Sequence, residues 1–154
     1  ELSAESHDIS VAPHGDDEPV LDITIDLEAD NAYSALATGM LADLECTVFG
    51  DAPGDIDADQ THVRFVHASP DAPAVNVQVA DGGPTLCENV GFRDTSEYVP
   101  VDAGTYDLEV VLAETDDVAL SLSDVEVDGG EAVSAIAIGQ ASDGSLDAVF
   151  ANDA

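Results

Sequence analysis

The chain contains no lysine, no tryptophan and two arginines. Against Arg64 and Arg93 stand 34 Asp and Glu, for a formal net charge of −32. Nucleic-acid binding needs Lys and Arg to neutralise phosphates, so that class of partner is excluded. Anionic membrane surfaces are disfavoured for the same reason. No apolar run approaches the roughly 20 residues of a membrane span, so direct membrane insertion is not expected, and no signal peptide is visible. The two cysteines, Cys46 and Cys87, have no CxxC spacing and no Cys/His cluster beside them, which argues against structural zinc. Outside a cell they are a possible disulfide; inside one, two buried thiols. Aromatics are scarce, with four Phe and three Tyr, which weakens a sugar-binding reading.

What the chain has in excess is negative charge, and this self-repulsion destabilises a compact state in dilute buffer. At molar salt the Debye length falls to about 3 Å and most of it is screened. The composition is that of a protein suited to concentrated salt. Disorder is the competing account of an acidic chain. It fails because 45% of the residues are hydrophobic and alternate regularly.

An internal repeat sets the organisation. "HDISV" (7–11) matches "YDLEV" (106–110), and "DITIDLEADNAYSALATG" (22–39) matches "LSDVEVDGGEAVSAIAIG" (122–139). "VFGDA" (48–52) loosely follows "VFANDA" (149–154). Residues 1–52 therefore correspond to 100–154, whereas "RFVHASPDAPAVNVQVADG" (64–82) occurs once. The chain reads as the back half of one unit (1–52), a short acidic linker (53–61) and a complete unit (62–154).

The complete unit alternates with period two, the mark of half-buried strands. Strands are expected over 62–68, 74–80, 105–113, 118–128, 132–139 and 145–151, with a bulge or phase shift between Leu122 and Val125. "SPDAP", "DGGP", "DAG", "DGG" and "SDG" supply the turns between them. No window sustains a helical period. The expected fold is all-β: antiparallel, immunoglobulin-like β-sandwich modules, one complete and one present as its back half. The Cys…Trp…Cys pattern of true immunoglobulin domains is absent, so the likeness is one of architecture.

"VRFVHASPDAPAVNVQVADG" followed by "YVPVDAGTYDLEV" resembles the uncharacterised β-sandwich family known as domain of unknown function 4397. His67, Ala68, Ser69, Pro70, Asp71, Ala72 and Pro73 fit its motif in order, as do Gly104, Thr105 and Tyr106. Residues 1–52 match its back half more weakly, with Ser6 and His7 in place of Thr-Tyr. The resemblance implies tandem modules in exported microbial surface proteins. It implies no established reaction.

"HASPDAP" holds His, Ser and Asp, but triads are assembled from distant segments and local order says nothing about them. The reading preferred here is a structural turn. Pro70 and Pro73 fix φ, and Ser69 and Asp71 are suited to accepting backbone N–H groups within the turn. His67 shares the inward parity of Val63 and Phe65, with Arg64 and Val66 on the other face. The acidic tips Asp16, Asp17 and Glu18, and Asp116 and Asp117, are possible contacts for calcium or monovalent cations. They lack the EF-hand pattern, and in so acidic a chain neighbouring acids arise from composition. His7, His14 and His62 show no ligand spacing, and His62 is expected to be exposed. No catalytic residue and no cofactor is assigned, and the chain is not expected to be an enzyme.

A lone back half exposes an apolar face comprising Val11, Ile23, Ile25, Leu27, Tyr33, Ala35 and Ala37. Three partners are open: residues 62–99 of the same chain, forming a permuted unit; a second copy exchanging halves; or a separate front half. A Cys46–Cys87 bond would favour the first. The expected function is non-catalytic: a structural module of an extracellular or cell-surface protein or filament, acting by β-strand exchange or tandem stacking, as a homo-oligomer or polymer or with the missing half-repeat. The alternative is an extracellular ligand- or carbohydrate-binding module that uses loops at one end of the sandwich.

Overall fold

The computed structural model describes residues 2–154. Its strands are β1 (Ser6–Val11), β2 (Leu21–Asp26), β3 (Ala32–Thr38), β4 (Glu45–Asp51), β5 (Gln60–His67), β6 (Val75–Val79), β7 (Thr85–Val90), β8 (Val99–Asp102), β9 (Gly104–Leu112), β10 (Val118–Val127), β11 (Glu131–Ile138) and β12 (Asp147–Asn152). The protein is all-β, and a single 3-10 turn, Leu41–Asp43, lies between β3 and β4. The chain divides into two units, 1–52 and 53–154.

The second unit is a sandwich of two four-stranded sheets, ordered β12-β11-β5-β8 and β10-β9-β6-β7. Phe65, Ala135 and Ala137 from the first sheet meet Val75, Val77, Val90 and Val110 from the second, and all seven are buried. Alternation produces this core directly, because side chains two apart share a face. The expected break in β10 is present: register shifts between Leu122 and Val125, and Asp124 takes φ 56°. Its amide donates to Asp107 Oδ1 at 2.9 Å.

Three features differ from expectation. The sheets are antiparallel except that β5 and β11 run parallel, with Ser134 opposite Arg64 and Ala135 opposite Phe65. Two strands, β7 and β8, occur where none was assigned; both are edge strands. Pro100 lies within β8, and an edge tolerates a residue without an N–H. Finally, the 53–61 segment belongs to the second unit. Gln60 and Thr61 begin β5, Ala103 N donates to Asp59 O at 2.9 Å, and His62 Nδ1 lies 2.6 Å from Pro53 O, so His62 is half-buried.

The first unit consists of two hairpins, β1-β2 and β3-β4, each a two-stranded sheet. They match β9-β10 and β11-β12 of the second unit. In β1-β2, the pairs His7–Ile25, Ile9–Ile23 and Val11–Leu21 line one face. The other face carries hydroxyl–carboxylate pairs, Ser6 to Asp26, Ser10 to Asp22 and Thr24 to Asp8. No apolar residue of this unit is buried among the described residues; Thr38 alone is.

Residues 62–99 are engaged within the second unit, where β5 pairs with β11 and β8, and β6 with β7 and β9.

Candidate functional site

The loop between β5 and β6 is built on His67, which is 1% exposed. Its Nε2 lies 3.1 Å from Pro73 O, so the ring closes the seven-residue loop as a donor. Burial pushes the imidazole below its ordinary value, outweighing the Pro73 carbonyl and the charge of Asp94, and His67 is neutral at neutral pH. Its Nδ1 makes no hydrogen bond. Backbone ties to the β7–β8 connection hold the strand end, with His67 N donating to Asp94 O and Arg93 N to His67 O.

Ser69 and Asp71 do not act within the turn as their types suggest. Ser69 is fully buried and its hydroxyl makes no hydrogen bond. Asp71 reaches a different segment: its carboxylate accepts from Ala141 N at 2.7 Å and Ser142 N at 3.0 Å, in the β11–β12 loop. The Ser142 hydroxyl and these amides hold the Asp71 carboxyl below the usual carboxylate range. The motif is thus a latch between the two ends of the first sheet's central strands. No nucleophile–base pair is formed, since Ser69 has no partner and His67 donates to a carbonyl.

Arg64 was placed on the outward face, yet it is 3% exposed. Its Nε donates to Ser134 Oγ at 2.6 Å, and Nη2 lies 3.6 Å from Asp153 Oδ2. The guanidinium stacks 4.9 Å from the Tyr98 ring centre. Asp153 Oδ2 also accepts from Tyr98 Oη at 2.8 Å and Ser134 Oγ at 2.6 Å. Ser134 from β11 and Tyr98 beside β8 therefore hold the charge pair that Arg64 of β5 forms with Asp153 beside β12. In the first unit Ser34 Oγ likewise donates to Asp51 Oδ2, at 2.9 Å. Ser34 stands opposite Phe49 and Ser134 opposite Ala151, and in each hairpin the aspartate follows that partner by two residues.

The possible cation contacts do not converge. Asp16, Asp17, Glu18, Asp116 and Asp117 are exposed, and among the described residues no three His, Cys, Asp or Glu side chains are grouped to hold a metal. Cys46 in the first unit and Cys87 in the second each carry a free thiol. Burial pushes the Cys87 thiol up to about 11, which keeps it protonated and unreactive. Among the described residues no helix is long and apolar enough to cross a membrane.

Two stacked sheets with a latched loop and a buried charge pair define a β-sandwich module. The chain belongs to the family described as domain of unknown function (DUF4397), whose pattern it matches over residues 1–78 and again over 76–154. The C-terminal domain of AlgF from P. aeruginosa is similar in structure at 19% identity and a TM-score of 0.43, covering 62% of this chain and 98% of that one. No curated protein matches the sequence.

Proposed function

We propose that the chain is a non-catalytic structural piece of a tandem array of sandwich modules, exported to a cell surface and suited to concentrated salt. Its N-terminal half-module, 1–52, is completed by a front half, from another copy or from the missing half-repeat. One comparison carries this reading. Ala135 and Ala137 are 5% and 3% exposed in the complete unit, while their counterparts Ala35 and Ala37, in the same strand of the repeat, are exposed. The same residues in the same local structure lack only the strands that cover them.

The experiment is to join a second copy of residues 53–103 ahead of the chain and follow amide exchange in molar salt. Residues of β1 and β3 should gain protection comparable with β9 and β11. If they stay as fast as in the parent chain, the half-module reading fails.

A ligand-binding role has one observation in its favour, an open groove of about 530 Å³ bounded by β10 and the end of β12, with Phe150 45% exposed beside it. Saturable binding on a glycan array in molar salt would favour that role over assembly.

A further inference from the structure

The sandwich of the second unit is closed at one end and open at the other. Alternation puts Val63, Phe65 and His67 of β5 on the inner face of the first sheet, and Val133, Ala135 and Ala137 of β11 on the same face. Phe65, Ala135 and Ala137 are buried, yet Val63 and Val133 are only half-buried. The second sheet repeats the contrast. Val110 is buried, while Tyr106 of the same stripe and Val125 opposite it are half-buried.

Phe150 marks the open side. It stands opposite Ala135 in the β11–β12 pair, so its side chain belongs to the inner face, although it is exposed. Its strand, β12, is the edge of the first sheet, and β10, the edge of the second, flanks the same groove. Behind the groove a cavity of about 20 Å³ lies between the sheets, and Val125, Val127, Val133 and Phe150 line both. The walls of the cavity are apolar, so they offer water no partner and favour carbon.

The mouth carries charge of one sign. Glu131 continues the inner stripe of Val133, is half-buried, and accepts from Asn152 Nδ2 at 3.1 Å. Asp124 and Glu126 of β10 stand on the other wall. Among the described residues no cation lines the groove. An anionic amphiphile would meet these carboxylates unopposed, and a second copy of so acidic a chain would meet the same repulsion. The complement is an apolar group with a positive head.

We propose that this groove binds a small amphipathic cation, an alkylammonium, with its tail against Val133 and Phe150 and its ammonium at Glu131. The inference concerns the second unit alone and does not rest on the assembly reading.

The test is a titration of the full chain, with labelled valine methyls followed by NMR, in the lowest sodium chloride concentration that keeps it folded. Hexylammonium, hexanol and hexanoate share one tail and differ in the head, and ammonium chloride supplies the charge without a tail. Hexylammonium should shift the methyls of Val125, Val127 and Val133 in one saturable step. Hexanol should bind more weakly, and hexanoate about tenfold more weakly than hexylammonium. Ammonium chloride should leave the three valines in place. Glu131→Gln keeps an acceptor for Asn152; it should weaken hexylammonium about threefold and hexanol not at all. Phe150→Ala should weaken both about fivefold, with unmoved Val75 and Val110 methyls showing that the sandwich is intact. Hexanol or hexanoate binding as tightly as hexylammonium would overturn the cationic class. No saturable shift, or shifts scattered over the surface and matched by ammonium chloride, would overturn the site. Movement of the three valines on dilution of the protein alone would overturn it too, by making the groove a contact between copies.

Discussion

Asp153 Oδ2 lies 3.6 Å from Arg64 Nη2 with both side chains 2% exposed, so this charge pair is withdrawn from water on the face of β5 that alternation assigns to solvent. Removing one member leaves the other buried and uncompensated, a loss of about 3–5 kcal/mol. Arg64→Gln should therefore lower the unfolding free energy by that order in chemical denaturation. Replacing both, with Arg64→Met and Asp153→Leu, should cost clearly less. Equal losses in the single and double variants would argue against a coupled pair.

Ser69 gives the opposite expectation. Its hydroxyl is fully buried without a hydrogen bond. Ser69→Ala removes a desolvated polar atom and almost no packing, so thermal stability should be unchanged or rise by up to about 1 kcal/mol. A loss beyond about 1 kcal/mol would mean that the hydroxyl is partnered.

Acid should destabilise the sandwich in two stages. Burial holds the His67 pKa below its ordinary 6.5, so the unfolded chain takes up the proton first. That contribution is constant above about pH 6.5 and is lost as pH falls through the lower folded value. Asp71 and Asp143 are depressed from 3.8 by the hydroxyls and amides of Ser142 with Ala141, and of Ser145, respectively. Their contributions are present above about pH 4 and are lost below it. Unfolding followed in molar salt, where general repulsion is screened, should show both stages. His67→Gln should remove the upper one and leave the lower.

Salt itself should stabilise. With a net charge of −32 the folded chain repels itself, and raising salt from 0.1 to 1 M shortens the Debye length from about 10 to about 3 Å. The melting temperature should climb steadily over that range in sodium chloride. A flat or falling curve would remove the case for salt adaptation.

Much of this architecture was legible from alternation and repetition. The apolar stripes of β9 and β10, the phase shift after Leu122 and the division after residue 52 all follow from period two and from matching residues about one hundred apart. The weaker strands were not. β7 alternates poorly and β8 holds Pro100, and edge strands need neither two-faced burial nor every N–H. Arg64 and Asp71 were misread for one reason: the hydrogen bonds and ion pair described for them reach residues 70 or more away, where local pattern carries no information. One signal was available for Arg64. Ser34 and Asp51 recur as Ser134 and Asp153, and a polar pair kept in both halves of a repeat asks for a shared partner.

The central claim is that residues 2–52 form an incomplete sandwich, and amide exchange on the chain by itself, in about 1 M salt, tests it most directly. The account predicts that amides along β1 and β3 exchange at least about a hundredfold faster than their counterparts in β9 and β11, since local opening there breaks no buried core. Equal protection of the two sets in the isolated monomer would contradict it.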